Sequence, residues 1–161
     1  ILRHDPRYLF VHIGGGVKLK EVIEYKEKYN LKNILTLPYQ PREYIHISLA
    51  SADIQVVSLG DNCTGFTHPN KIYGSMFVGK PILYIGPHDS HISEILDKCP
   101  GNISVRHGET NLLVESLISF ANKSEQDINL IGHNNKIFAN KFFHPKKLIK
   151  KMIESIESVV N

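Results

Sequence analysis

The residues best suited to chemistry are gathered in one loop and the helix start that follows it: Thr64, Gly65, His68, Pro69 and Lys71. Threonine and histidine side chains hydrogen-bond phosphate or sugar oxygens, and glycine lets a backbone approach a ligand closely. Lys71 falls in the first turn of a helix expected over residues 70–77, where the backbone dipole disfavours a cation. Unpaired N–H groups at a helix start attract anions. The expected guest is therefore a phosphate, with Lys71 as its charge partner; a solvated lysine on a surface helix is the competing reading. Gly14, Gly15 and Gly16 follow an apolar run and permit a tight turn against a ligand, and Tyr39 sits in a proline-flanked turn. Because Gly14, Gly15 and Gly16 do not form G-x-G-x-x-G, an NAD site is not expected. His88 and His91 lie near Asp89 and Glu94, but no second ligand pair accompanies them, so no metal site is assigned. No triad spacing is evident, and no general base stands out.

These residues need elements to hold them. Apolar runs at residues 8–13, 33–37, 54–59, 82–85 and 102–106 each have the length of a buried strand. Between them fall helical patterns. Over residues 18–29, Leu19, Val22, Ile23 and Lys26 share one side. Pro41 suits the first position of a helix reaching about residue 52, with Tyr44, Ile45, Ile47 and Leu49 as its buried side. Ser90 or Asp89 caps a helix through Ile92, Ile95 and Leu96, and Leu113, Val114, Leu117, Ile118 and Ala121 form the stripe of the next. Ser124 with Asp127 approximates a capping box for a helix ending near Phe142. A last helix from Pro145 sets Leu148, Ile149, Met152, Ile153, Ile156 and Val159 against Lys146, Lys147, Lys150 and Lys151. Its apolar side is expected to dock on the domain, although a basic amphipathic helix can also touch an anionic membrane. Strand and helix alternate, which predicts an α/β, Rossmann-like, doubly wound parallel sheet with helices on both faces. Ligands of such sheets bind beyond the carboxyl ends of the strands. Loops 14–16, 38–40, 61–69 and 86–89 then converge on one crevice.

Composition narrows the classes. The chain has 161 residues, 42% of them hydrophobic, and a net charge of +3. That size suits one domain, and that charge makes no case for a nucleic-acid partner. Two cysteines, Cys63 and Cys99, in no tight pattern read as reduced thiols of a cytoplasmic protein. No apolar run approaches a membrane span, and the first residues form no signal peptide. The chain starts at Ile1 rather than Met and is read as beginning inside a longer protein.

Pro69-Asn70-Lys71-Ile72-Tyr73, followed by Met76 and Gly79-Lys80-Pro81, resembles the P-S-K-L-Y-E-x-(M/L)-A-x-G-(K/R)-P signature of GT-B glycosyltransferases of the group 1, or family 4, branch. Residues 52–59 and 132–142 are similar to further passages of that family. The resemblance implies that residues 1–161 are a single, partial C-terminal domain that binds a nucleotide-diphosphate sugar, most often a UDP-sugar, with no cofactor. Residues 14–16 then match a donor-domain strand and loop, Tyr39 lies beside the base, and Thr64 and His68 reach phosphate or sugar. As UDP departs, Lys71 and the backbone around residues 69–72 would meet the growing charge on the diphosphate. The whole enzyme would transfer sugar to a polysaccharide or lipid-linked acceptor, in the cytoplasm or peripherally at the inner membrane. Three departures stand out. The family's first strand with its G-R/K phosphate loop, hence the first βα unit, has no counterpart here, nor has the N-terminal acceptor domain. Gly74 replaces a glutamate that binds the donor ribose in many relatives, a role Asp61 or a backbone group would have to fill. A non-catalytic or degenerate nucleotide-sugar module, half of a sugar-nucleotide epimerase, and a doubly wound regulatory protein are the alternatives.

Overall fold

The computed structural model describes residues 2–160, with side chains to residue 159; Ile1 and Asn161 of the expected domain lie outside the described residues. The strands are β1 (Phe10–Ile13), β2 (Ile34–Leu37), β3 (Gln55–Ser58), β4 (Ile82–Ile85) and β5 (Ile103–Val105). The helices are α1 (Leu19–Lys28), α2 (Ile45–Ala50), α3 (Lys71–Phe77), α4 (His91–Leu96), α5 (Thr110–Ala121), α6 (Glu125–Phe142) and α7 (Pro145–Val160). All strand pairs are parallel. The alternating elements thus form the flanked parallel sheets that the sequence predicts.

β4 shows why. Its side chains alternate between faces. Ile82 and Tyr84 enter a core with Ile72 and Met76 of α3, Ile92, Ile95 and Leu96 of α4, and Ala139 of α6. Leu83 points the other way, into a second core with Tyr8, Val105 and Leu117 of α5. A strand covered on both faces must be apolar at every position, as Ile-Leu-Tyr-Ile is. Burying a side chain such as Ile72 contributes about 1.5–3 kcal/mol.

The caps follow local chemistry. Ser90 Oγ accepts from the Ser93 N–H, and Ser124 Oγ accepts from the Asp127 N–H. Both satisfy donors left open at a helix start.

Three expectations need correction. The sheet is not continuous among the described residues: β1 pairs with β2, and β3, β4 and β5 form a separate sheet in that order. β1 and β3 do not pair, so the two strand groups stay separate. Second, Tyr44, Ile45 and Ile47 are exposed, because only a short 3-10 turn (Arg42–Tyr44) and the six residues of α2 form there and no element among the described residues covers that side. Third, α7 does not dock its stripe: Leu148, Ile149, Met152, Ile153, Ile156 and Val159 are all exposed. The residues described offer that face no partner. No helix among them is long and apolar enough to cross a membrane.

Candidate functional site

The loop after β3 is shaped by its own backbone. A 3-10 turn spans Asp61–Cys63, and the N–H groups of Phe66 and Thr67 both donate to the Cys63 carbonyl. Gly65 holds φ +81°, a left-handed conformation that side-chain-bearing residues adopt only under strain. The chain therefore curls back and brings Thr64, Gly65, Phe66, Thr67 and His68 around a cavity of about 220 Å³, closed by Leu59, Ser90, His91 and Ile92. Thr64 Oγ1 is buried with no hydrogen-bond partner among the described residues.

The opposite wall, the loop after β4, is locked by Tyr84. Its hydroxyl lies 2.8 Å from Ser90 Oγ and donates to the Pro87 carbonyl at 3.2 Å. Ser93 Oγ donates to the same carbonyl. Gly86 is required, since a Cβ there would lie 2.5 Å from the Tyr84 hydroxyl and 2.8 Å from the Leu59 carbonyl oxygen. Both walls thus stand on β3 and β4, at the carboxyl edge of the sheet. A second cavity, of about 400 Å³, is lined by Gly101, Asn102, Ile103, Ser119 and Phe120 among others. It is larger but opens at the amino end of β5, the wrong edge for a ligand of a parallel sheet.

His68 is the centre of the polar cluster. Its Nε2 lies 2.7 Å from the Tyr73 hydroxyl, and its ring centroid is 4.7 Å from that of His91. Burial, and secondarily the neighbouring His91, pull its pKa below the ordinary histidine value. Burial also raises that of Tyr73. His91 Nδ1 in turn lies 3.6 Å from Glu94 Oε2.

Lys71 opens α3, beside this cavity in sequence but not among its lining residues. Its surface is exposed, yet surrounding protein desolvates the ammonium enough to lower its pKa. None of the ion pairs among the described residues involves it. The backbone donors nearby are fewer than the sequence suggests. Pro69 has no N–H, and those of Ile72 and Tyr73 donate to the Pro69 and Asn70 carbonyls. Asn70 and Lys71 retain theirs.

Gly14, Gly15 and Tyr39 form a separate cluster, at the carboxyl ends of β1 and β2. The Tyr39 ring packs on the two glycines so closely that a Cβ on Gly14 would meet it at 2.9 Å and one on Gly15 at 3.1 Å. Gly14 also adopts φ +107°. The outer side of the ring is free, Tyr39 being 79% exposed, and can stack on a planar group. Nothing lies within 4 Å of a Cβ placed on Gly16.

Asn135 was not legible as important. Fully buried in α6, it donates through Nδ2 to the Lys80 carbonyl and to Asn102 Oδ1, both at 2.9 Å, and accepts from Asn102 Nδ2. Asn102 Oδ1 also receives the Ile82 N–H that starts β4. Beside it, a Cβ on Gly132 would lie 2.0 Å from the Gly79 carbonyl oxygen. α6 therefore rests directly on the end of α3 and fixes the helix that carries Lys71. Residues 132–142 had drawn notice only through the family passage they resemble; an asparagine inside a helical pattern gives no sign of burial.

No known protein-family profile matches the chain. A probable glycosyltransferase, WbjE of Pseudomonas aeruginosa, is 27% identical over 104 residues, which are 61% of this chain and 26% of that protein. HepE of Anabaena, solved with UDP-glucose, superimposes with a TM-score of 0.76 at 18% identity, over 95% of this chain and 42% of HepE. Sucrose-phosphate synthase from Thermosynechococcus elongatus gives 0.75 at 14% identity, over 93% of this chain and 38% of the synthase. The chain thus spans about a quarter of its curated relative and about two-fifths of each solved neighbour. Its fold is that of a GT-B glycosyltransferase C-terminal domain.

Proposed function

We propose that this chain is the donor-binding half of a glycosyltransferase, taking a nucleotide-diphosphate sugar, most simply a UDP-sugar, and serving a polysaccharide or lipid-linked acceptor held by the rest of the enzyme. One observation carries the reading. The cavity of residues 64–68 opens at the carboxyl edge of a parallel sheet, in a fold whose neighbour HepE was solved with UDP-glucose and with UDP. Gly14, Gly15 and Tyr39 occupy the carboxyl ends of β1 and β2 and fit a nucleoside; Thr64, Gly65, His68, Pro69 and Lys71 fit the diphosphate. Lys71 suits a departing UDP because it is a cation without a carboxylate partner among the described residues. An anion would restore the electrostatic compensation that desolvation removes.

The chain is read as part of a larger domain. Its strand orders, β2-β1 and β3-β4-β5, match the two halves of a doubly wound sheet on either side of its switch point. One further parallel strand between β1 and β3 would join them. Exposed Leu9, Val11 and Val56 beside that break are apolar positions such a strand would cover.

Gly74 favours a second reading, a binding module without catalysis. A Cβ there would lie 3.0 Å from Leu49 Cδ1, so Leu49 must give way before any ribose-binding side chain could stand there. Heteronuclear NMR titration with UDP-glucose, UDP and NAD tests the ligand class. Shifts at residues 14–16, 39 and 64–71 with the uridine nucleotides are expected; preference for NAD overturns it. Sugar transfer by the longest polypeptide containing this chain separates the two readings.

A further inference from the structure

We propose that His68 and His91 form a two-imidazole clamp that grips the doubly charged diphosphate of the ligand, with Thr64 as a third donor. Resting on the donor-binding reading above, this names the groups that hold the anion and how they acquire charge.

Each ring uses one nitrogen within the protein and leaves the other open. His68 Nε2 is engaged by the Tyr73 hydroxyl, and His91 Nδ1 faces Glu94. His68 Nδ1 and His91 Nε2 have no hydrogen-bond partner among the described residues. Both rings line the same cavity, together with Thr64, Thr67 and Ser90, and no carboxylate lines it. Buried Thr64 Oγ1 lacks a partner among the described residues. Such a lining offers N–H and O–H donors and no competing anion, the chemistry a phosphate requires.

Burial disfavours charge on His68 before a ligand arrives. With centroids 4.7 Å apart, two imidazolium ions would repel each other, and burial adds to the penalty on His68. Other titratable and charged groups surround the pair. From α3 come the neutral Tyr73 hydroxyl and the cation Lys71. From α4 comes Glu94, whose Oε2 lies 3.6 Å from His91 Nδ1. Asp61 and Asp89 bear on Tyr84, whose hydroxyl is bonded to Ser90. An arriving dianion would face both open nitrogens and favour their protonated forms. Binding therefore takes a proton from solvent onto His68 Nδ1 or His91 Nε2, and it strengthens as pH falls.

The test is an NMR titration of the individual imidazoles, with and without each of two probes whose charge stays constant across the range, UDP-glucose and inorganic sulfate. With saturating UDP-glucose, the midpoints of His68 and His91 should each rise by about half a unit, which together match up to about tenfold tighter binding near pH 5.5 than near pH 8. Exposed His46 and His133 are internal controls and should not move. His91→Gln replaces a side chain that is 55% exposed and should fold normally while losing about half of the pH dependence on a logarithmic scale. Binding of UDP-glucose with both midpoints unmoved overturns the clamp and leaves the donor reading intact. Sulfate moving both rings while UDP-glucose fails to bind supports the clamp and removes the donor reading. If neither probe moves the pair, the clamp is wrong.

Discussion

Gly132→Ala should loosen the molecule at the joint between α6 and α3. The added Cβ would stand 2.0 Å from the Gly79 carbonyl oxygen and 2.8 Å from its carbonyl carbon. Both are backbone atoms, so no side chain can swing aside. Gly79 cannot move freely either, for it holds φ +75° where the chain turns from α3 toward β4. Restoring ordinary contact moves α6 outward by roughly 1.5 Å. That displacement strains the Asn135 bonds to Lys80 and Asn102 in the same helix. Overpacking of this kind costs up to about 3 kcal/mol, while alanine gains about 1 kcal/mol of helix propensity over glycine. A net loss of about 2 kcal/mol follows, read as a lower urea midpoint at unchanged slope. Gly16→Ala is the control, because a Cβ there meets nothing within 4 Å. Equal midpoints for Gly132→Ala and the unmodified protein would refute the close approach and the argument that α6 positions α3.

Four more outcomes are expected. Asn135→Ala should cost about 2–4 kcal/mol by urea unfolding, since it strands the buried Lys80 carbonyl and Asn102 and leaves a void. Ile153→Asp should change stability by less than about 0.5 kcal/mol, because the side chain is exposed; a larger loss would mean that α7 docks after all. Lys71→Ala should weaken UDP binding roughly ten- to a hundredfold by calorimetry, with folding nearly unchanged and Lys80→Ala much milder. Desolvation lowers the Lys71 pKa and the anion favours the ammonium, so affinity should be full below that pKa and fall as pH rises through it. Lys71→Arg should abolish this alkaline loss; identical alkaline profiles for the two proteins would exclude Lys71 from the site.

The fold was legible where physics is local. The apolar runs and caps marked strands and helix starts to within a few residues, because Ser90 and Ser124 act on N–H groups three positions away. Alternation alone puts the loops of residues 61–69 and 86–89 at one strand edge, but gives no sign that Gly14, Gly15 and Tyr39 form a cluster apart from their cavity. What escaped depends on meetings between distant segments. A hydrophobic stripe announces an apolar face but not whether anything covers it, so α2 and α7 were read as docked when they are exposed. Continuous alternation likewise gives no sign that β1 and β3 do not pair. His68 and His91 are far apart in the chain, and only the parallel order of β3 and β4 sets their loops face to face. Nothing in the sequence around His88 and His91 marks His91 as a wall of the cavity.

The most direct test is a crystal of the chain, or of the longest polypeptide containing it, soaked with UDP-glucose. The account predicts nucleotide density along the carboxyl edge, the base beside Tyr39 and the diphosphate among Thr64, His68, His91 and Lys71. Density in the cavity of Gly101, Asn102 and Phe120 at the amino end of β5, or on no strand end at all, would contradict it.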